Sequence, residues 1–232
     1  MDLVHRALLR CSLALLCGLI TAGSATAQRI GEVSTAVDNL MVVLREQQGP
    51  NKLDETLRPV GQLYGKFGGE DVRMDLAWYR YLGDMQIRFV FDGPKSLRSA
   101  TAEEFAHFHL SPEEAVERAV ANIKRVYGAP HTEPWSGGLT MVTGRSPDLD
   151  SSYFLDRAFW RGLLKQHPEG LVVGVPKRGG LVFVPLSDTA AVEHFRHGIG
   201  YLYRSSETAR VSSALYLFKD DRWTVFQPPL GQ

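Results

Sequence analysis

Leu171 to Pro185 reads LVVGVPKRGGLVFVP, two apolar runs around a basic, glycine-rich centre. No other stretch limits the fold as tightly. Apolar runs on both sides of a short glycine-containing turn specify two antiparallel strands, here Leu171–Val175 and Leu181–Val184. A phosphate-cradling loop would need a lysine and a hydroxyl residue leading straight into a helix. Gly179 and Gly180 come last instead, and a strand follows them. A glycine after Arg178 supplies the positive φ of a tight turn, and Lys177 and Arg178 are expected at its exposed tip.

The same grammar recurs downstream. Asp188 to Tyr203 has helical periodicity and follows Ser187, a candidate cap. Leu215–Phe218 and Trp223–Phe226 form a second strand pair around KDDR. Upstream, Met85–Phe91 reads as a strand and GLTMVTG as a short one. TAEE and SPEE are capping-box signatures at Thr101 and Ser111, and Pro112 suits the first helical position. The helix from Pro112 to Val126 is expected to bury Ala115, Val116, Ala119, Ile123 and Val126, with Glu114 and Arg118 paired on its far side. Ser152–Gln166 reads as a further helix, capped by Ser151 or Ser152. Glu32–Gln48 reads as another, with Val33, Val37, Leu40, Met41 and Leu44 on one face. Close strand pairs with helices between them imply an α+β fold, mostly antiparallel, whose C-terminal third runs hairpin, helix, hairpin. The glycines and aromatics of residues 58–82 suggest short strands and turns, so residues 28–84 are the least defined part of one expected domain over residues 28–232.

The first residues follow a different pattern. Arg6 and Arg10 precede the uncharged run Cys11–Ala22, and GSATAQ places Ala25 and Ala27 ahead of Gln28. This is the grammar of a secretory signal peptide over residues 1–27, cleaved after Ala27. The apolar run is shorter than the roughly 20 residues a membrane-spanning helix needs. Leu15 and Leu16 ahead of Cys17 do not suit a lipidation site. Cleavage would leave 205 residues without cysteine, hence no disulfide and no thiolate chemistry. The location expected is periplasmic or secreted, in a bacterium, with no transmembrane helix in the mature chain. Its 24 basic residues against 25 acidic ones give no electrostatic reason to expect nucleic acid as a partner.

Ile87–Arg125 and Val173–Phe226 together resemble the YtpQ-like bacterial proteins, a family catalogued as a domain of unknown function. The first part carries an extended segment, an aspartate, a proline and a serine, then TAEE and LSPEE. The second carries GVPKRGG, an apolar strand, a helix and an aromatic hairpin, in the family's order. The resemblance covers about half of the mature chain and implies a divergent exported member. Gly179 stands where the family pattern has an aspartate, and the family offers no catalytic residues to carry over.

Reactive constellations are sparse. EHFRH places His194 and His197 three residues apart on one helical face, the weak candidates for a metal site. A zincin motif needs histidines four apart around a glutamate. The apolar face of this helix is Ala191, Val192, Phe195, Ile199 and Leu202, so both histidines are expected to face solvent. His107 and His109 fall between two helices. Ser136, in WSGGLT, lacks the strand-to-helix context of a nucleophile elbow. Asp148, Asp150 and Asp156 read as helix-capping or dipole-complementing carboxylates, without the spacing of a calcium loop.

No metal or cofactor is therefore expected. The reading favoured is a non-catalytic binding or interaction module of the cell envelope, with a protein or small-molecule partner. The alternative is an extracytoplasmic hydrolase whose catalytic residues assemble only in three dimensions. The helix at Ser152–Gln166 carries more apolar surface than one packed face needs. Trp160 and Leu164 are either covered by the N-terminal third or form an exposed interaction patch.

Overall fold

The computed structural model describes residues 33–231. The signal-peptide reading, with Ala25, Ala27 and Gln28, lies outside the described residues.

The chain is α+β, and every strand pair is antiparallel. Strand β1 (Leu40–Glu46) begins where a helix was expected. Leu40 to Leu44 are all buried. Five consecutive apolar residues, two of them β-branched, suit a strand covered on both faces better than one stripe of a helix. β2 (Arg58–Pro59), β3 (Gln62–Phe67), β4 (Glu70–Asp75) and β5 (Trp78–Arg80) follow, confirming short strands and turns in this stretch. The β3–β4 hairpin is a separate two-stranded ribbon. It turns on Gly68 and Gly69, with φ of 60° and 91°. β6 (Met85–Asp92) pairs the whole length of β1 through Met85–Phe91, and β7 (Leu97–Ser99) pairs the end of β6. This sheet has the order β1-β6-β5-β2, with β7 off the path.

Helix α1 (Ala102–Ala106) and helix α2 (Pro112–Tyr127) both begin with the expected capping boxes, Thr101 with Glu104 and Ser111 with Glu114. α2 lies on β1. The buried Asn122 donates from Nδ2 to the carbonyls of Val37 and Leu40, 2.9 Å each, and so fixes where β1 starts. Val126, expected in the core, is exposed, and the next residue, Tyr127, packs against the core in its stead. The Glu114–Arg118 pair does not form. Glu114 is committed to its cap, and Arg118 approaches Asp38 at 3.8 Å.

The second half is a six-stranded sheet in the order β13-β12-β10-β11-β9-β8. It comprises β8 (His131–Pro134), β9 (Thr140–Thr143), β10 (Leu171–Lys177), β11 (Gly180–Pro185), β12 (Leu215–Lys219) and β13 (Arg222–Gln227). The β10–β11 turn is Arg178–Gly179, and Gly180 takes the positive φ, 137°. The tip is tied down: the Arg178 carbonyl accepts from the Ser151 N–H at 2.8 Å, and Arg178 Nη2 donates to Thr208. Asp220 and Asp221 turn the last hairpin with φ of 51° and 58°, the left-handed pair a two-residue turn requires.

The long helix expected over Ser152–Gln166 is two elements. A 3₁₀ segment covers Asp150–Leu155, and α3 (Arg157–Leu164) follows it. The cap of α3 is Asp156, whose side chain accepts from the Phe159 N–H at 3.2 Å, and not Ser151 or Ser152. Ser152 Oγ instead donates to the carbonyl of Val42 at 2.6 Å, anchoring the segment to β1. Helix α4 (Thr189–Arg204) is capped by Asp188 rather than Ser187.

The side-chain period of two divides the six-stranded sheet between two cores. Leu171, Val173, Leu181, Phe183, Tyr216 and Phe218 point to the core shared with the first sheet, α2 and α3. Val172, Val182, Val184 and Leu215 point the other way, against Ala191, Phe195 and Ile199 of α4. Helices thus cover both faces of β10, which explains its uninterrupted apolar run.

Candidate functional site

Between α2 and α3 lies a cleft of about 580 Å³, within the usual range for small-molecule pockets. Its floor is apolar: Leu57, Ile87, Val116, Val120, Leu155 and Trp223. Val116 and Val120 lie one helical turn apart, so α2 presents them together. The next stripe of the same helix carries Glu113, Glu117, Ala121 and Lys124 along one wall.

The charges at the rim are largely committed to one another. Glu55 Oε1 accepts from Tyr81 Oη at 3.1 Å and from Arg157, and its Oε2 accepts from the Trp223 N–H at 3.0 Å. This one carboxylate ties the segment after β1 to α3 and β13. Arg157 Nη1 also donates to the Asp221 carbonyl. Arg161 grips the Asp221 carboxylate with two bonds of 2.8 and 2.7 Å, which hold that carboxyl below its ordinary range. Lys124 Nζ is 2.9 Å from Oδ2 of Asp156, which is 3% exposed. Asp156 therefore caps α3 with one oxygen and holds α2 with the other. Glu113 and Glu117 are different. Both are exposed, and among the described residues their carboxylates have neither a hydrogen bond nor an ion pair.

The lining has one hydroxyl, that of Tyr81, and no thiol or imidazole. Burial and the neighbouring Glu55 charge raise the Tyr81 pKa well above the ordinary tyrosine value. It stays protonated and serves as a donor to Glu55. The serine–carboxylate pair with the closest geometry lies elsewhere. Ser212 Oγ donates to Asp84 Oδ1 at 2.5 Å and lies 2.7 Å from the Tyr216 hydroxyl. Ser212 is 0% exposed, so no substrate reaches it. That network joins the turn before β6 to the start of β12.

The residues singled out from the sequence are scattered. His194 and His197 are exposed on α4, as the apolar face of that helix requires. His197 Nε2 approaches Glu193 Oε1 at 2.9 Å, while His194 lines a separate hollow. Among the described residues no three histidine, cysteine or acidic side chains come together as metal ligands. His107 and His109 are exposed. Asp150 is buried and accepts from the Ser146 N–H, and Asp148 lies 3.7 Å from Arg178.

The interaction patch at Trp160 and Leu164 does not exist. Trp160 is 0% exposed, its Nε1 donates to the Tyr153 carbonyl at 2.9 Å, and Leu164 is half-buried against the same core. Phe183, Phe218 and Trp223 of the six-stranded sheet pack against Trp160, where the N-terminal third was expected. The segment runs down a sheet face that is already apolar, so its second stripe meets core.

Fold and cleft define an antiparallel α+β protein with α4 on one face of its larger sheet and a charged-rimmed, apolar-floored cleft on the opposite side. No family model, curated protein or solved structure matches the chain.

Sequence reasoning missed the cleft because Glu55 falls between readable elements and Glu113 reads only as first-turn acidity. The available signal was the i, i+4 pair Glu113 and Glu117 beside the apolar pair Val116 and Val120.

Proposed function

We propose that this protein is an exported, non-catalytic binding module, a divergent relative of the YtpQ-like proteins, and that the cleft between α2 and α3 holds its ligand. The observation that carries the reading is the charge balance of the cleft. Lys124, Arg157 and Arg161 are each paired with a carboxylate of the protein, which leaves Glu113 and Glu117 over an apolar floor without a hydrogen bond or ion pair among the described residues, Glu117 within the field of Arg161. A ligand with an apolar body and a cationic head satisfies both features: burial of the body supplies affinity, and the paired glutamates supply selectivity. A lining without thiol or imidazole, with its one hydroxyl held protonated, favours binding over hydrolysis. The leader grammar ending at Ala25, Thr26 and Ala27 supports export.

Two probes of equal size test the site, 4-phenylbutylamine and 4-phenylbutyrate, followed through the fluorescence of Trp223 in the cleft. The amine is expected to bind and to lose at least tenfold in affinity when Glu113→Gln and Glu117→Gln are combined. Equal binding of the two probes, or preference for the carboxylate, sinks the proposal. For export, the intact mass of the envelope protein is expected to begin at Gln28, and a full-length chain would mean a retained anchor.

A further inference from the structure

We propose a second ligand site, separate from the cleft, in the hollow between α4 and the Trp135–Leu139 turn, built for a small uncharged molecule carrying an aromatic ring. The hollow measures about 330 Å³, at the lower end of the range for small-molecule pockets and too small for a large ligand.

Its construction starts with the turn after β8. Gly137 and Gly138 adopt φ of 72° and 77°, a conformation that side-chain-bearing residues rarely take. This turn carries Trp135 over α4, and Gly138 packs against Ala191 there, where a Cβ would sit at 3.4 Å. Phe195, 1% exposed, forms the floor. Trp135 and Tyr201, 37% and 70% exposed, present their rings at the sides.

Three further observations point to a ligand. The hollow has exposed polar tips free to bond a ligand: among the described residues Trp135 Nε1, Ser136 Oγ, the His194 ring and Tyr201 Oη make no hydrogen bond within the protein. Gly198 sits in the middle of α4, where glycine costs roughly 1 kcal/mol against alanine. A Cβ there would meet nothing within 4 Å, so packing does not demand the glycine, whereas open space in the hollow does. Finally, the lining contains no carboxylate, lysine or arginine. An uncharged occupant avoids burying an unpaired ion. The aromatic walls favour a flat ring, and the free tips supply one or two hydrogen bonds.

The probe is N-phenyl-1-naphthylamine, an uncharged aromatic amine whose fluorescence rises in apolar surroundings, titrated into the purified protein. Saturable one-to-one binding is expected. Gly198→Leu should weaken it at least tenfold with the melting temperature unchanged or raised, and Trp135→Ala at least fivefold. Ala121→Trp, which fills the cleft between α2 and α3, should leave this binding unchanged, so the two sites fail or stand independently. The inference is overturned by absence of saturable binding, by full binding in Gly198→Leu or Trp135→Ala, or by loss in Ala121→Trp. Binding of cellobiose in place of the amine, or a dimer dissolved by Gly198→Leu, overturns it as well.

Discussion

Asp84 shows what one buried side chain imposes on this protein. It is 7% exposed and accepts hydrogen bonds from Ser212 Oγ and Tyr216 Oη on its Oδ1. Burial raises its pKa above the ordinary aspartate range, and the bonds from Ser212 and Tyr216 oppose that rise without cancelling it. The folded chain therefore holds this proton more tightly than the unfolded chain. The resulting stabilisation is full below the unfolded pKa and is lost as pH rises through the raised folded value. Asparagine keeps the accepting oxygen and carries no charge. Over a pH series rising from the ordinary aspartate range, at about pH 4, the melting temperature of wild type should fall relative to that of Asp84→Asn. A gap that stays constant across this series would show that the charge of Asp84 contributes nothing.

At the scale of elements, close approach decides which helix sits on which strand. Gly174 in β10 faces α4, where a Cβ would come within 2.6 Å of Phe195 Cζ and 2.9 Å of Ile199 Cδ1. Gly174→Val should overpack this contact and cost about 1–3 kcal/mol in denaturant unfolding, and a loss well under 1 kcal/mol would mean that α4 shifts freely. Elements with local signals were legible in the sequence. The two capping boxes, the Asp220–Asp221 hairpin and the β10–β11 turn each depend on a few adjacent residues. β1 was not legible, because five apolar residues in a row satisfy a buried helix and a buried strand equally until the covering layers are known. The break at Asp156 was missed for a related reason. The apolar spacing of residues 152–166 continues across it, while Ser152 is drawn off to the carbonyl of Val42.

Over the whole molecule, one continuous core joins the two sheets. Residues of β1, β6, α2, α3, β10, β11, β12 and β13 belong to the same buried cluster, and Trp160 is among its largest fully buried side chains. Trp160→Ala should cost roughly 3–5 kcal/mol, as large aromatic truncations do. Both sheets should then still unfold together, with circular dichroism and tryptophan fluorescence tracing one transition. Two separated transitions would show that the sheets are independent units. The sequence by itself determined the α+β class, the hairpin–helix–hairpin order and the outward face of α4, because caps, turns and side-chain periods act within a few residues. Only the tertiary structure decided the cleft and the fate of Trp160. Glu55, Tyr81, the Glu113–Lys124 face, Asp156, Arg157 and Trp223 come from five separate stretches of the chain. Whether an apolar stripe becomes core or surface depends on which distant strand comes to lie against it, and no local pattern encodes that.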